Sequence, residues 1–192
     1  MKLLILGLIV FLGAHSVRIV ADRWRSAQIA RLGENAWKGL YSLVSAVGLG
    51  LIVWGYGQTR MAPVDLWMPP VWTRHLASLL TLAAFVLLAA AYVPGTRIKG
   101  AVHHPMVIGV KVWALAHLLA NGRLGDLVLF GAFLAWAVLD FRAARARDRA
   151  SGTHYPGGRW DRDGAAVAAG GAGGGAFAFW LHGWLIGVRP FG

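Results

Sequence analysis

The sequence predicts an all-α fold, a polytopic integral membrane bundle of about six transmembrane helices. Three observations carry this. The chain has a mean hydropathy of +0.56 and only 14% charged residues, against about 25% in an ordinary soluble domain. Its apolar runs recur at close to the roughly 20 residues that a helix needs to cross a bilayer. Its basic residues gather in the connections between those runs, where charge asymmetry sets membrane orientation. The ten tryptophans suit interfacial belts. One domain over residues 1–192 is expected.

The first expected span is 2–20. Lys2 followed by the apolar run from Leu3 to Ala14 has the outline of a signal peptide. No A-x-A cleavage pattern follows, and His15, Arg18 and Arg23 come next, so a retained span is expected. The second span is 37–58. Just before it Glu34, the single glutamate, suits the first helical turn, where a negative charge meets the positive end of the dipole. An outer connection, 60–73, contains MAPVDLWMPPVWT with its aromatic anchors. The third span is 75–94, and the fourth is 102–121, ended by the turn-forming pair Asn121-Gly122. The fifth is 124–141. The polar stretch 141–163 is expected as a mobile cytoplasmic loop or an interfacial helix followed by a turn. The sixth span, 164–188, opens GAAVAAGGAGGGAFAF, with six glycines from Gly164 to Gly175. Small residues let membrane helices approach closely, so a tightly packed helix is expected, with a glycine linker before Phe177 as the alternative.

The connections after spans one, three and five hold thirteen basic residues, among them Arg23, Arg97 and Arg142. The opposite side holds five, Lys2, Arg60, Arg74, Arg123 and Arg189. This asymmetry places the richer side in the cytoplasm and both termini outside it. It also explains the net charge of +11 without nucleic acid as a partner. No internal repeat is present.

Cysteine is absent. Disulfides, thiolate ligation and covalent c-type haem are thereby excluded. No paired carboxylates, phosphate-binding glycine loop or Ser-His-Asp order is found. The chemistry is left to histidine. Residues 101–122, AVHHPMVIGVKVWALAHLLANG, carry His103, His104, Lys111 and His117 inside an apolar stretch. Ionisable groups in a span are costly and point to a site facing the bundle interior. His15 adds a histidine on another helix, and two such residues can ligate a metal from facing helices. Each of His15, His104 and His117 equally suits a plain hydrogen bond to a neighbouring helix. His104 and His117 are thirteen residues apart, about 20 Å along a helix, and do not serve one metal together. Lys111 is expected to pair with an acid such as Asp140 or to extend toward the interface, or else to meet an anionic group of a cofactor. His75 and His182 are expected to bond backbone carbonyls, and His154 to be solvated.

LGLIVFLGAHSVRI, RLGENAWKGLYSLVS, VWGYG, AYVPGTRIK, HHPMVIGVKVWALAHLLANG, LVLFGAFLAWAVLD and WLHGWLIGV resemble the NnrU family over nearly the whole chain. The resemblance implies a bacterial inner-membrane protein associated with denitrification, the reduction of nitrite and nitric oxide. NnrU proteins are in turn similar to the 15-cis-zeta-carotene isomerase of plants and cyanobacteria. The shared elements are His15-Ser16, Gly33-Glu34 with Ala36, His104-Pro105, and Trp113 through His117. That likeness implies a non-covalent haem b with His15 and His117 as axial ligands and His104 as second choice. Lys111, Trp113 and Asn121 are the further residues expected to line the cofactor.

Three departures from the isomerase stand out. Ala114 occupies the position of a cysteine, so a switch to thiolate ligation is impossible. His103 stands where arginine precedes the H-P pair. The glycine-rich sixth span does not match. Three functions are compatible with these residues. The first is haem chemistry on a polyene or a diatomic ligand. The second is a non-catalytic assembly or signalling role toward nitrite and nitric oxide reductases. The third is a membrane methyltransferase, suggested faintly by His104-Pro105 followed by Gly109.

Overall fold

The computed structural model describes residues 1–188 and Pro190. Arg189, counted above among the outer basic residues, lies outside them. The described chain is all helical apart from two isolated bridges. Its elements are α1 (Lys2–Val20), α2 (Asp22–Leu32), α3 (Glu34–Met61), α4 (Val71–Tyr92), α5 (Arg97–Val102), α6 (Pro105–Ala120), α7 (Leu124–Ser151) and α8 (Trp160–Ala176). A π-helical turn, Phe177–Leu181, then leads into α9 (His182–Ile186). Five helical stretches are long and apolar enough to cross a membrane: α1, α3, α4, α7 and Trp160–Ile186. The sixth apolar helix, α6, has 16 residues. The protein is a multi-pass membrane protein.

Local chemistry fixes several boundaries differently from the sequence reading. The span expected over 102–121 is α6, which begins three residues later than expected, and a separate short helix precedes it. α5 stops at Val102, His103 takes a positive φ of 67°, and α6 starts with Pro105 at its first position. Proline suits a first turn because its missing N–H has no helical partner there. A separate short helix, α2, fills the connection after α1. It is polar on average, its few apolar residues (Trp24, Ile29, Leu32) making no strong helical stripe, and it is therefore hard to find by apolar periodicity. α7 runs ten residues past the apolar stretch and ends on Gly152 in the left-handed conformation. The stretch 141–163 is thus mostly helix, followed by a turn. The glycine-rich stretch is helical, as the packed-helix expectation holds.

Glycine determines how α1 meets α3. A Cβ on Gly55 would lie 2.3 Å from the Leu4 nitrogen, and one on Gly7 2.6 Å from the Ile52 nitrogen. Backbone rests on backbone here, which maximises dispersion contact where lipid gives no hydrophobic drive. Leu4, Leu8, Ile52, Ala114, Leu129 and Phe130 form the buried core around this crossing. α4 packs against α6 and α8, with the Gly170 face set on the Val86 backbone. α6 and α7 join the two halves. Outward, Ile9, Leu43, Trp54 and Leu79 are 63% to 66% exposed. An apolar surface of this kind marks lipid contact rather than water.

Both ends of the bundle are tied by backbone. At one end the connection 62–70 meets the α6–α7 turn, where the Leu66 N–H donates to the Gly122 carbonyl (2.8 Å) and the Leu124 N–H to the Val64 carbonyl (2.9 Å). At the other end the Arg159 N–H donates to the Gly95 carbonyl (2.9 Å), binding the segment before α8 to that before α5.

Candidate functional site

His15 and His117 share one local construction. The His15 Nδ1–H donates to the Phe11 carbonyl (2.7 Å) and the His117 Nδ1–H to the Trp113 carbonyl (2.9 Å). In each case the acceptor lies one helical turn back. A carbonyl only accepts, so the proton sits on Nδ1 and the lone pair on Nε2. Neither Nε2 has a partner among the described residues. A bond of this kind on the far nitrogen fixes the tautomer and ring orientation of an imidazole that ligates a metal.

The surroundings of both rings are aromatic. His15 stacks on Phe11 (4.1 Å between centroids) and faces Tyr41 (5.1 Å) and the edge of Trp136 (5.9 Å). The Trp136 indole nitrogen is buried and without an acceptor among the described residues. His117 stacks on Phe130 (4.5 Å) and packs against Trp113 (5.2 Å). The two imidazoles do not touch. A run of ring contacts connects them: Phe11 to Phe133 (5.8 Å), Phe133 to Trp113 (5.4 Å), and Trp113 to His117. On α7, His15 sits at the level of Trp136 and His117 at that of Phe130. Six residues of helix separate those levels, about 9 Å.

Beside His117 lies a buried polar pair. The Tyr56 hydroxyl donates to Asp126 (2.5 Å), which is 4% exposed and also accepts from the Arg123 N–H (3.3 Å). Asn121 Nδ2 donates to the His117 carbonyl (2.8 Å), which holds the end of α6 rather than the ring.

The remaining expected site residues lie in the first half of α6 (Lys111) and just before it (His104). His104 Nε2 bonds Asp148 Oδ2 (2.7 Å), and Tyr155 donates to the same oxygen (3.1 Å). Its Nε2 is therefore engaged, unlike those of His15 and His117. The Tyr155 phenol is pushed above its usual range by burial and then by the Asp148 carboxylate, so it stays a donor at neutral pH. The His103 ring stacks on Tyr155 at 4.3 Å and 6°. Lys111 does not pair with Asp140. Its ammonium lies over the Phe141 ring at 3.6 Å, while Asp140 lies 4.0 Å from Arg147. A cation–π contact needs no desolvated carboxylate and suits this level of the bundle. His182 bonds the Val188 carbonyl (2.7 Å), and His75 and His154 are exposed.

The structure therefore gathers Trp113, His117 and Asn121 at one end of α6, with His15 linked to them by stacked rings. His104 and Lys111 form a separate group. Phe11, Tyr41, Phe130, Phe133, Trp136, Tyr56 and Asp126 complete the histidine surroundings and are not evident from motif. Only an aromatic spacing of three residues in FGAFLAW, on one helical face, hints at them. No group of three or more metal-ligating side chains occurs among the described residues, and a two-histidine axial pair does not require one.

The model of the family described as NnrU protein matches residues 3–190. No curated protein and no solved structure matches the chain. The chain belongs to the NnrU family.

Proposed function

We propose that this member of the NnrU family is a haem b protein of the bacterial inner membrane, held to the cofactor by His15 and His117. One observation carries the reading. Two membrane histidines have their Nδ1 protons fixed by carbonyls and their Nε2 atoms unclaimed, while His104 does not. The donor set fits haem, whose axial ligands include neutral imidazole. The aromatic surroundings suit a flat apolar macrocycle, and the buried Trp136 N–H offers an unused donor beside His15. Bound haem supplies an iron centre able to change oxidation state and ligation.

The protein residues set the rest. Phe11 and Trp113 orient the imidazoles through their carbonyls, and Phe130 and Phe133 keep water from the rings. The cofactor is proposed to act in denitrification, sensing a diatomic ligand or working on a polyene in an isomerase-like reaction. Both termini are assigned to the periplasm.

The test is the visible spectrum of the purified full chain after haem supplementation, oxidised and reduced. A six-coordinate low-spin Soret band is expected. His15→Ala and His117→Ala each convert it toward five-coordinate high-spin haem, and the double variant loses haem, while His104→Ala keeps the wild-type spectrum. A chain without a Soret band, or a double variant with an unchanged one, overturns the proposal.

A further inference from the structure

We propose that the C-terminal end of α7 carries a binding site for the phosphate headgroup of an anionic phospholipid. The site is a groove of about 460 Å³ lined by Phe141, Arg142, Arg145, Ala146 and Arg149. Arg142 and Arg149 are exposed and have no carboxylate partner among the described residues. Arg145 lies 3.5 Å from Asp148, a carboxylate already shared with His104 and Tyr155. Lys111 lies outside the lining, its ammonium over the ring of Phe141. The groove thus holds two guanidinium groups, Arg142 and Arg149, that no carboxylate among the described residues neutralises.

Its level selects the ligand. The apolar part of α7, residues 124–141, has a length of about 27 Å, close to a hydrocarbon core. The arginines begin where that part ends, at the depth of lipid phosphates. At about 100° per residue, Val138, Arg142, Arg145 and Arg149 fall within a sector of about 60°. Val138 is 38% exposed and Leu127, in the same sector three turns earlier, 41%, so one helix face offers apolar side chains for an acyl chain and then cations for its headgroup. Guanidinium groups bind phosphate oxygens bidentately, and basic pockets at the ends of membrane helices suit anionic headgroups. A free anion would need the cations but not the apolar track below them.

Native mass spectrometry of the full chain from micelles containing phosphatidylglycerol or phosphatidylcholine tests this. Phosphatidylglycerol is expected to be retained in clear preference. Arg142→Ala with Arg149→Ala should weaken its retention about 25-fold, roughly fivefold per charge. Arg23→Ala with Arg31→Ala, which removes the same charge from exposed positions on α2, should leave it unchanged. Arg142→Lys with Arg149→Lys should keep most of it. If the alanine pair does not fold, Arg149→Ala alone carries the comparison, with a loss of about fivefold. Equal loss in the α2 pair, no loss in the groove variants, or full displacement by millimolar inorganic phosphate overturns the proposal.

Discussion

Single residues here are decided by where their hydrogen bonds go. His15 and His117 were legible because each stands in a short motif and because an ionisable residue in a span demands an explanation. Their shared Nδ1 bonds to the preceding turn are a helical property, so the preparation of Nε2 is implicit in the sequence once the helix is given. Asp126 was not legible. It reads as an acid in a first helical turn, and only the fold brings Tyr56, 70 positions away, onto its carboxylate. The missed partner of Lys111 has the same cause, since Phe141 and Asp140 are neighbours in sequence and only side-chain direction separates them. The Tyr56–Asp126 pair makes a testable demand. Tyr56→Phe removes the hydroxyl donor from a carboxylate that is 4% exposed. The loss should cost about 1–3 kcal/mol, the range for a buried group left without its partner. Denaturant unfolding in detergent micelles measures it, and a variant as stable as the parent would show that the bond contributes nothing.

At the scale of the helix, apolar length located the spans and proline and glycine chemistry corrected their ends. Pro105 shortens α6, and Gly152 ends α7 well beyond its apolar part. α2 is not legible because its mean character is polar and its few apolar residues make no strong helical stripe. The glycines carry information of two kinds that composition does not separate. Gly55 lies against the Leu4 backbone, whereas Gly57, two residues on, faces open space. Gly57→Ala should be neutral or slightly stabilising, because alanine lowers the entropy lost on forming helix. Gly55→Ala should push α1 from α3 and destabilise by about 1–3 kcal/mol, the usual cost of overpacking. Thermal unfolding of the two variants side by side decides the matter. Similar melting temperatures would mean that the α1–α3 crossing adjusts freely and is not set by Gly55.

For the whole molecule, the open question in the sequence was the number of crossings, and α6 decides it. Sixteen residues of helix measure about 24 Å, short of a hydrocarbon core of roughly 30 Å. The hydrogen bonds at the two ends of the bundle nevertheless place the start of α6 near the segment 93–104 and its end beside the connection 62–70. α6 therefore passes through the full height of the bundle, with the adjoining turns covering the shortfall, as short spans do under mismatch. With the five longer stretches this predicts six crossings. An even number puts both termini on one face, in keeping with the asymmetry of basic residues. The absence of cysteine makes this directly measurable by single-cysteine labelling. Met68→Cys, at a site 92% exposed in the outer connection, should react with a membrane-impermeant maleimide in intact spheroplasts. Thr153→Cys, exposed between α7 and α8, should react only after the membrane is opened. If both sites label from the outside, α6 does not cross and the arrangement of basic loops has another cause.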